Sequence, residues 1–349
     1  MVLMYSLSNG SEAYVGKEML MEPEPRGIVF PRPWHVCIDR IDIPRIEGNT
    51  VLVKSDHSLI SNGTERIIFE RSFSAGSHWD RWVRYPFSPG YATVGKIIAI
   101  GSNVTDYKIG DRVAVRSPHA SHSCVLDRKC MPIPDEVAPE DAVWFALAKI
   151  AFWGVLVASQ KNTEIILVVG GGPVAQMVIR WAATFAAGPI AILARDHKHL
   201  TVGLSGGATV ALLGRTNEYS AERLQRALGK RPQIIVDCTA NVDVLPWSLS
   251  VIATYGRVVL VGDPGSPNDR RLTSDVLLRG LSIVGVHDRN SYPDWDSKSV
   301  SNLFFSKLSS KAVRVEEICT HNIPPELAQD AYGLVSRRET GVLGMRFDW

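Results

Sequence analysis

The sequence has no segment that would place the chain in a membrane and no charge excess that would attract nucleic acid. No uncharged apolar run approaches the roughly 18 residues that a transmembrane helix needs. Its first segment, MVLMYSLSNGSEAYVGKEML, has no basic stretch followed by an apolar one, so we expect no secretory signal. Lys and Arg number 38 against 36 Asp and Glu, a formal net charge of only +2. Nucleic acid and membranes are therefore not expected as partners.

Cysteine is scarce as well. The five cysteines are Cys37, Cys124, Cys130, Cys238 and Cys319; they are scattered and odd in number, and no two have CxxC spacing. This usage argues against a disulfide framework and predicts a cytoplasmic protein with reduced thiols in or near its core.

The length of 349 residues favours two domains. The predicted secondary structure also changes along the chain. From Arg26 to about Val143, short alternating runs such as YATVGKIIAIGSNV end in glycine turns, which predicts a β-rich domain. From Glu164, apolar strand-like runs alternate with helical segments, which predicts a doubly wound parallel sheet and an α/β fold. The last stretch predicts a helix and a strand that return to the first domain. The predicted units are residues 1–152, 153–290 and 291–349.

Three glycines lie in the turn between the first strand of the predicted parallel sheet and the helix that follows it, in IILVVGGGPVAQMVIRWA. In a dinucleotide-binding unit Gly170 would permit the tight turn, Gly172 would let the backbone approach the pyrophosphate, and Ala175 would let helix and strand pack closely. Pro173 and Val174 open the helix, whose N-terminal N–H groups attract phosphate. A glycine-rich turn without a ligand is the alternative, but the four strand-like runs that follow favour a cofactor.

The end of the second strand, in PIAILARD, bears on which cofactor binds. An acidic residue here usually binds the adenosine ribose hydroxyls, and we place Ala194 at that position. Arg195, with Lys198 or His199 nearby, would then pair with a 2′-phosphate, which favours NADP over NAD. In the alternative register Asp196 binds the ribose and Arg195 is a solvated surface charge.

Two later strands end at the same carboxyl edge of the predicted sheet. Thr239, Ala240 and Asn241 follow the strand IIVDC, and Gly262 and Asp263 end the next one. We expect the first group, with Gly262, to border the adenine or ribose side of the cofactor.

These segments, together with QIIVDCTAN, YGRVVLVG, LSIVGV and PGYATVGKIIAIGSNVTDYKIGDRVAV, resemble the medium-chain dehydrogenase/reductase superfamily, the zinc alcohol dehydrogenases. The resemblance runs from about residue 26 to 349. It implies a GroES-like β-rich catalytic domain, a Rossmann domain and an active site in the cleft between them. It also implies a homodimer formed through the edge of the Rossmann sheet, near RLTSDVLLRGLSIVGV.

The sequence departs from this family where zinc would bind. Asn62 stands at the family's cysteine ligand, Tyr91 and Ala92 stand at its His-Glu pair, and FALAKIAF, the region of the third ligand, has no Cys, His, Asp or Glu. Catalytic zinc needs three protein ligands with N, S or O donors, and Cys124 and Cys130 are too few for a structural zinc lobe. We therefore predict no zinc. SNGTER, PGYATVG and FALAKIAFWGV resemble the zinc-poor subgroup of bacteriochlorophyllide hydroxyethyl dehydrogenase, without implying its pigment substrate.

Without a metal, hydrogen-bond donors must polarise the substrate. Tyr91 can donate to a carbonyl oxygen and act as a general acid. Asn62 can bond a substrate oxygen, Thr64 matches the family's relay hydroxyl, and Glu65 matches an acid beside the ligand site. The alternatives are structural: a half-buried barrel tyrosine, packing roles for Asn62 and Thr64, and an ion pair of Glu65 with Arg66.

Several other polar and aromatic residues have two interpretations. Lys149 in an apolar helix either lines the cleft or, as we expect, extends its ammonium to the surface. His119 and His122 suggest a metal or an acid–base pair, but we favour a loop closing on the core. The aromatic stretch SHWDRWVRYPFSPGY either lines a pocket for a bulky or planar substrate or packs at a domain edge.

The sequence as a whole predicts a zinc-independent, NADP-preferring oxidoreductase acting on a ketone or secondary alcohol of a small biosynthetic metabolite. Reduction of an activated C=C bond, in an enone or quinone, is the first alternative. A cofactor-binding protein without catalytic activity is the second.

Overall fold

The computed structural model describes residues 24–161, 163–185 and 188–349, and these residues form alternating β-rich and α/β regions. The strands are β1 (Arg26–Arg32), β2 (His35–Arg40), β3 (Thr50–Leu59), β4 (Thr93–Ile100), β5 (Arg112–Val115), β6 (His122–Leu126), β7 (Met131–Pro132), β8 (Ile166–Val169), β9 (Ile190–Ala194), β10 (Val210–Leu213), β11 (Ile234–Asp237), β12 (Arg257–Leu260), β13 (Ser282–Gly285), β14 (Cys319–Ile323) and β15 (Gly344–Asp348). The helices are α1 (Asn62–Glu70), α2 (His78–Trp82), α3 (Pro139–Ala142), α4 (Phe145–Ala158), α5 (Pro173–Phe185), α6 (His197–Ser205), α7 (Ala221–Leu228), α8 (Val244–Val251), α9 (Asp275–Leu278), α10 (Ser297–Ser309) and α11 (Ala328–Arg337).

The first domain is a GroES-like β structure. Within the described ranges, β1 and β2 form an antiparallel hairpin, and the larger sheet has the order β14-β15-β3-β4-β5-β7, with β6 paired to β3. The alternation of TVLVKS in β3 places Val51 and Val53 on one face, where they pack with Ile97, Val113 and Val115 in a buried cluster. Period-two alternation explains why this half of the chain forms antiparallel strands.

The second domain is a Rossmann-type parallel sheet. In the described chain its strand order is β10-β9-β8-β11-β12-β13, and every neighbouring pair is parallel. The short strands are buried on both faces because helices cover both sides, so their sequences are continuously apolar. The order reverses beside β8, and a ligand crevice forms outside the carboxyl ends of the strands at such a point.

Helix α4 joins the two domains. It is apolar around its whole circumference and is buried along most of its length, as expected for a helix with no polar face. The boundary predicted between residues 152 and 153 falls inside this helix. After the second domain, α10 packs against α4, and β15 pairs antiparallel with β3 in the first sheet.

Among the described residues, no helix combines the length and the apolar character needed to span a bilayer.

Candidate active site

The glycine turn leaves open space at the start of α5. Gly170 has φ of 110°, a left-handed conformation that favours glycine. A Cβ added at Gly172 would meet no other atom within 4 Å. Helix α5 begins at Pro173, Val174 is half-buried, and Ala175 is only 1% exposed in the core. The turn therefore has the shape predicted for a phosphate cradle, whose use by a cofactor stays a prediction.

Gly171 has a different physical reason from its neighbours. A Cβ there would lie 2.7 Å from the Cβ of His199 and 2.9 Å from that of Ala194. The middle glycine thus allows β9 and α6 to lie against the turn, a requirement that the sequence pattern did not reveal.

The second strand of the parallel sheet, β9, ends at Ala194, the residue that the sequence analysis placed at this position. Asp196 caps α6: one carboxylate oxygen accepts the N–H of Lys198 at 2.7 Å, and the other accepts the N–H of Gly341 at 2.8 Å. These hydrogen bonds help to lower the pKa of Asp196. Both oxygens of Asp196 thus bind backbone groups, and the choice between the two registers stays a prediction.

Three arginines converge at this strand end. Partial burial of the Arg195 side chain is the largest cause that lowers its pKa. The positive charges of Arg338 and Arg215 lower it further, so both lie near enough to act on Arg195. Lys198 is exposed beside them. Sequence reasoning missed Arg215 and Arg338, because one follows the next strand and the other ends α11, far along the chain.

Thr239 and Gly262 lie in contact at the carboxyl ends of β11 and β12. A Cβ at Gly262 would lie 1.7 Å from the carbonyl oxygen of Thr239, so only glycine allows this approach. The N–H and hydroxyl of Thr239 donate to Oδ1 of Asp237 at 2.8 and 2.6 Å. Burial raises the pKa of Asp237 to about 6.

Tyr91, the candidate proton donor, lies at the start of the segment leading into β4. Its hydroxyl donates to Oγ of Ser61 at 2.5 Å, and Cζ of Arg116 lies 4.7 Å from the centre of its ring. Burial raises the pKa of Tyr91 to about 12, although the Ser61 hydrogen bond and the Arg116 charge act in the opposite direction. Tyr91 therefore keeps its proton near neutral pH.

Asn62 and Thr64 lie in the first turn of α1, directly after Ser61. The side-chain amide of Asn62 donates to the carbonyl of Leu343 at 2.7 Å. Its buried Oδ1 has no hydrogen-bond partner among the described residues. Thr64 is half-buried. The free group of Asn62 is therefore an acceptor, suited to a hydroxyl rather than a carbonyl.

Glu65 lies buried behind Ser61, and its predicted role stays a prediction. Its carboxylate is 1% exposed and accepts the N–H of Ser61 at 2.7 Å and the hydroxyl of Tyr332 at 2.5 Å. Nε2 of His119 lies 2.9 Å from it, and Nδ1 of His119 lies 2.8 Å from Oγ of Ser58. Glu65 is a buried anchor for α1.

Two further expectations near Glu65 are resolved by its neighbours. Arg66 forms an ion pair with Glu70 at 2.7 Å rather than with Glu65. His119 is fully buried and His122 is 8% exposed, so the favoured interpretation of a loop closing on the core agrees with their positions.

The expectation that Lys149 reaches the surface is wrong. The residue is 7% exposed, and Nζ donates to the carbonyl of Asp288 and to Oγ of Ser297, each at 3.0 Å. Oδ1 of Asp288 also lies 2.9 Å from this ammonium. Asp288 forms a second ion pair, with Arg116. Helix α4 itself provides no partner for the ammonium of Lys149. The partners come from residues far along the chain, and they allow the lysine to be buried.

The aromatic stretch packs at the domain edge, apart from Tyr91. Ring centres lie 5.7 Å apart for Trp79 and Trp82 and 5.5 Å apart for Trp82 and Phe87. Nε1 of Trp79 donates to the carbonyl of Pro264 in the second domain at 3.1 Å. Tyr85 packs against the same core cluster.

The residues at the family's ligand positions do not fit zinc. Asn62, Tyr91 and Ala92 offer an amide oxygen, a protonated phenol and a methyl group, and zinc in proteins prefers thiolate, imidazole and carboxylate. Across residues 24–161, 163–185 and 188–349, no three His, Cys, Asp or Glu side chains come together as possible metal ligands.

Comparison with known proteins agrees with this architecture. The family model "Alcohol dehydrogenase GroES-like domain" matches residues 48–179, and the model "Zinc-binding dehydrogenase" matches residues 173–302. L-threonine 3-dehydrogenase of Symbiobacterium thermophilum is 25% identical over 340 residues, covering 87% of this chain and 92% of that protein.

Solved structures share the fold at lower identity. An alcohol dehydrogenase of Escherichia coli CFT073, complexed with NADH, has a TM-score of 0.79 and 18% identity, covering 93% of this chain and 99% of that one. A protein of Sinorhizobium meliloti 1021, solved with NADP bound, has a TM-score of 0.77 and 15% identity, covering 94% of this chain and 100% of that one.

The two sheets, the glycine turn and the matched domain models define an NAD(P)-dependent dehydrogenase. The chain belongs to the medium-chain dehydrogenase/reductase superfamily, with its GroES-like domain preceding its cofactor domain.

Proposed function

We propose that the chain is a zinc-independent oxidoreductase that prefers NADP and transfers hydride to or from a ketone or secondary alcohol of a biosynthetic metabolite. The observation that carries this proposal is the hydroxyl pair at the metal-ligand position, where Tyr91 donates to Ser61 at 2.5 Å beneath the guanidinium of Arg116. When bound, the nicotinamide supplies or accepts the hydride.

The protein supplies the proton. Tyr91 is protonated near neutral pH, as a phenol ordinarily is, and burial raises its pKa further, to about 12. Since Ser61 accepts from Tyr91, its own hydroxyl proton is available to a substrate oxygen, and Tyr91 can replace that proton. Oδ1 of Asn62 is available to accept from an alcohol or a neighbouring hydroxyl. For Thr64 we keep the role that the family resemblance implies, a hydroxyl that relays protons.

The cofactor preference is supported by the end of β9. Ala194 provides no carboxylate to repel a 2′-phosphate, and Arg195, Arg215 and Arg338 concentrate positive charge beside it. Gly170 and Gly172 would place the pyrophosphate before α5, with Thr239 and Gly262 along the next strand ends.

A homodimer is supported by the edge of the parallel sheet. Strand β13 pairs on one side with β12, and the nearby Leu272, Leu277, Leu278 and Tyr255 are 68–87% exposed. Large exposed apolar side chains grouped beside a strand edge are typical of a protein interface.

The proposal is tested by following NADPH oxidation on a panel of ketones, enones and quinones, in Tyr91→Phe and in the matched control Tyr107→Phe, which removes a hydroxyl that donates to the carbonyl of Cys130 at 2.9 Å. We expect ketone reduction to fall about a hundredfold or more in Tyr91→Phe and to be unchanged in Tyr107→Phe. Turnover confined to enones would instead establish C=C reduction. NADPH binding without turnover on any member would establish a non-catalytic protein.

A further inference from the structure

The buried ammonium of Lys149 is fully used within the protein. It lies in the apolar helix α4, and its three contacts are the carbonyl and carboxylate of Asp288 and the hydroxyl of Ser297. A buried charge is costly unless it is paired and hydrogen-bonded. Two hydrogen bonds and one ion pair thus tie the ammonium to the segment that follows β13.

Asp288 is shared between two cations. Besides Lys149 it pairs with Arg116, which follows β5 in the first domain. Since Lys149 holds the carboxylate from one side, Asp288 is restricted in the direction from which it can hold the guanidinium. The ion pairs therefore connect α4, the segment that follows β13 and the larger sheet of the first domain.

Arg116 carries this restriction to Tyr91. Its Cζ lies 4.7 Å from the centre of the Tyr91 ring, within the range of a cation–π interaction. Its Nη1 is buried and has no hydrogen-bond partner in the described chain, so the contacts that fix the guanidinium are Asp288 and the ring.

We propose that Lys149 and Asp288 are positioning residues for Tyr91 and act on it through Arg116. This inference rests on the proposed role of Tyr91 as proton donor, and neither residue is assigned a contact with substrate. Loss of Asp288 frees the guanidinium from its anchor, and loss of Lys149 lets Asp288 turn towards Arg116 and draw it away from the ring.

The test observes Tyr91 directly, in protein labelled with ¹³C at the tyrosine Cζ, with and without NADPH. The NMR signal that disappears in Tyr91→Phe belongs to Tyr91. We expect Asp288→Asn, Lys149→Met and Arg116→Gln each to move this signal by more than its width at neutral pH. The exposed Lys298→Met, which lies beside Ser297, is the matched control and should leave it in place.

Two results would overturn the inference. One is an unmoved Tyr91 signal in Asp288→Asn, a variant of nearly identical shape that keeps the test valid should Lys149→Met fail to fold. The other is a signal that moves in Arg116→Gln alone, which would show that Arg116 needs no support from the other two.

Kinetics then separate this inference from the proposed function. On any ketone found in the panel, we expect Asp288→Asn to lower kcat about tenfold or more while the KM for NADPH stays unchanged. If Tyr91→Phe keeps full activity, the proposed function fails, but the NMR signal still decides whether Lys149 and Asp288 position Tyr91.

Discussion

Replacing Arg338 is the sharpest test of cofactor preference, because this arginine comes from α11 of the first domain and not from the dinucleotide fold. In Arg338→Gln one of three guanidinium groups around the predicted 2′-phosphate is lost. A hydrogen bond to a charged group contributes about 1.5–3 kcal/mol. Since these arginines are exposed and screened, the lower end applies. NADPH should therefore bind about tenfold more weakly, while NADH, which has no 2′-phosphate, should bind unchanged.

The assay is energy transfer from the protein's tryptophans to the reduced nicotinamide, titrated separately with NADPH and NADH. The matched control is Arg337→Gln, since this neighbouring arginine forms an ion pair with Glu339 at 3.2 Å and is not among the groups that act on Arg195. Equal losses for NADPH and NADH in Arg338→Gln would indicate damage to the fold. Unchanged NADPH binding would refute the arginine site.

Replacing one arginine of the cluster should not destabilise the protein when no cofactor is bound. Burial first, and then the positive charges of Arg338 and Arg215, lower the pKa of Arg195, which means that each of these two arginines repels Arg195. Arg338→Gln should therefore melt at the same temperature as the unaltered protein or slightly above it without NADPH. A clear decrease would mean that Arg338 has a structural role that we have not identified.

Four other substitutions test the site from different directions. Gly172→Ala should fold normally but lose NADPH affinity, whereas Gly171→Ala should cost about 1–3 kcal/mol of stability because its Cβ would meet side chains at 2.7 and 2.9 Å; equal melting temperatures would contradict this. Glu65→Gln should cost about 3 kcal/mol or more and leave NADPH affinity unchanged, as checked by denaturant unfolding and titration. Asp237, with a pKa raised to about 6, favours the folded state in its protonated form and loses that contribution as pH rises through 6. Asp237→Asn should therefore gain stability relative to the unaltered protein between pH 4 and 7, and a constant difference would refute the assignment.

The parallel sheet could be predicted because its signals are local. Gly170 follows an apolar run and precedes a helix, and Ala194 ends the next strand where the spacing placed it. The same sequence could not reveal the partners of Lys149, because Asp288 and Ser297 lie on a segment that only the tertiary fold brings to α4.

The partners of Glu65 could not be predicted for a related reason. Its position matched the family pattern, but His119 and Tyr332, which bind its carboxylate, come from distant parts of the chain. The functional pattern and the structural anchor use the same residue type at the same place. Only burial and hydrogen bonding distinguish them.

The charges around Tyr91 bear on the proposed zinc-independent reaction. A metal at this position would stabilise negative charge developing on the substrate oxygen. In this chain Arg116 and Lys149 face one carboxylate, Asp288, while the other carboxylate that acts on Tyr91, Glu65, is bonded to Ser61, Tyr332 and His119. Hydrogen bonds do not remove the charge of Glu65, so the feature beside the hydroxyl pair that favours an anion is the guanidinium of Arg116 itself, with its unpaired Nη1. In the proposed mechanism a fixed guanidinium donor would stabilise an oxyanion in the same sense as a metal, so the orientation of Arg116 would matter as well as the hydroxyl of Tyr91.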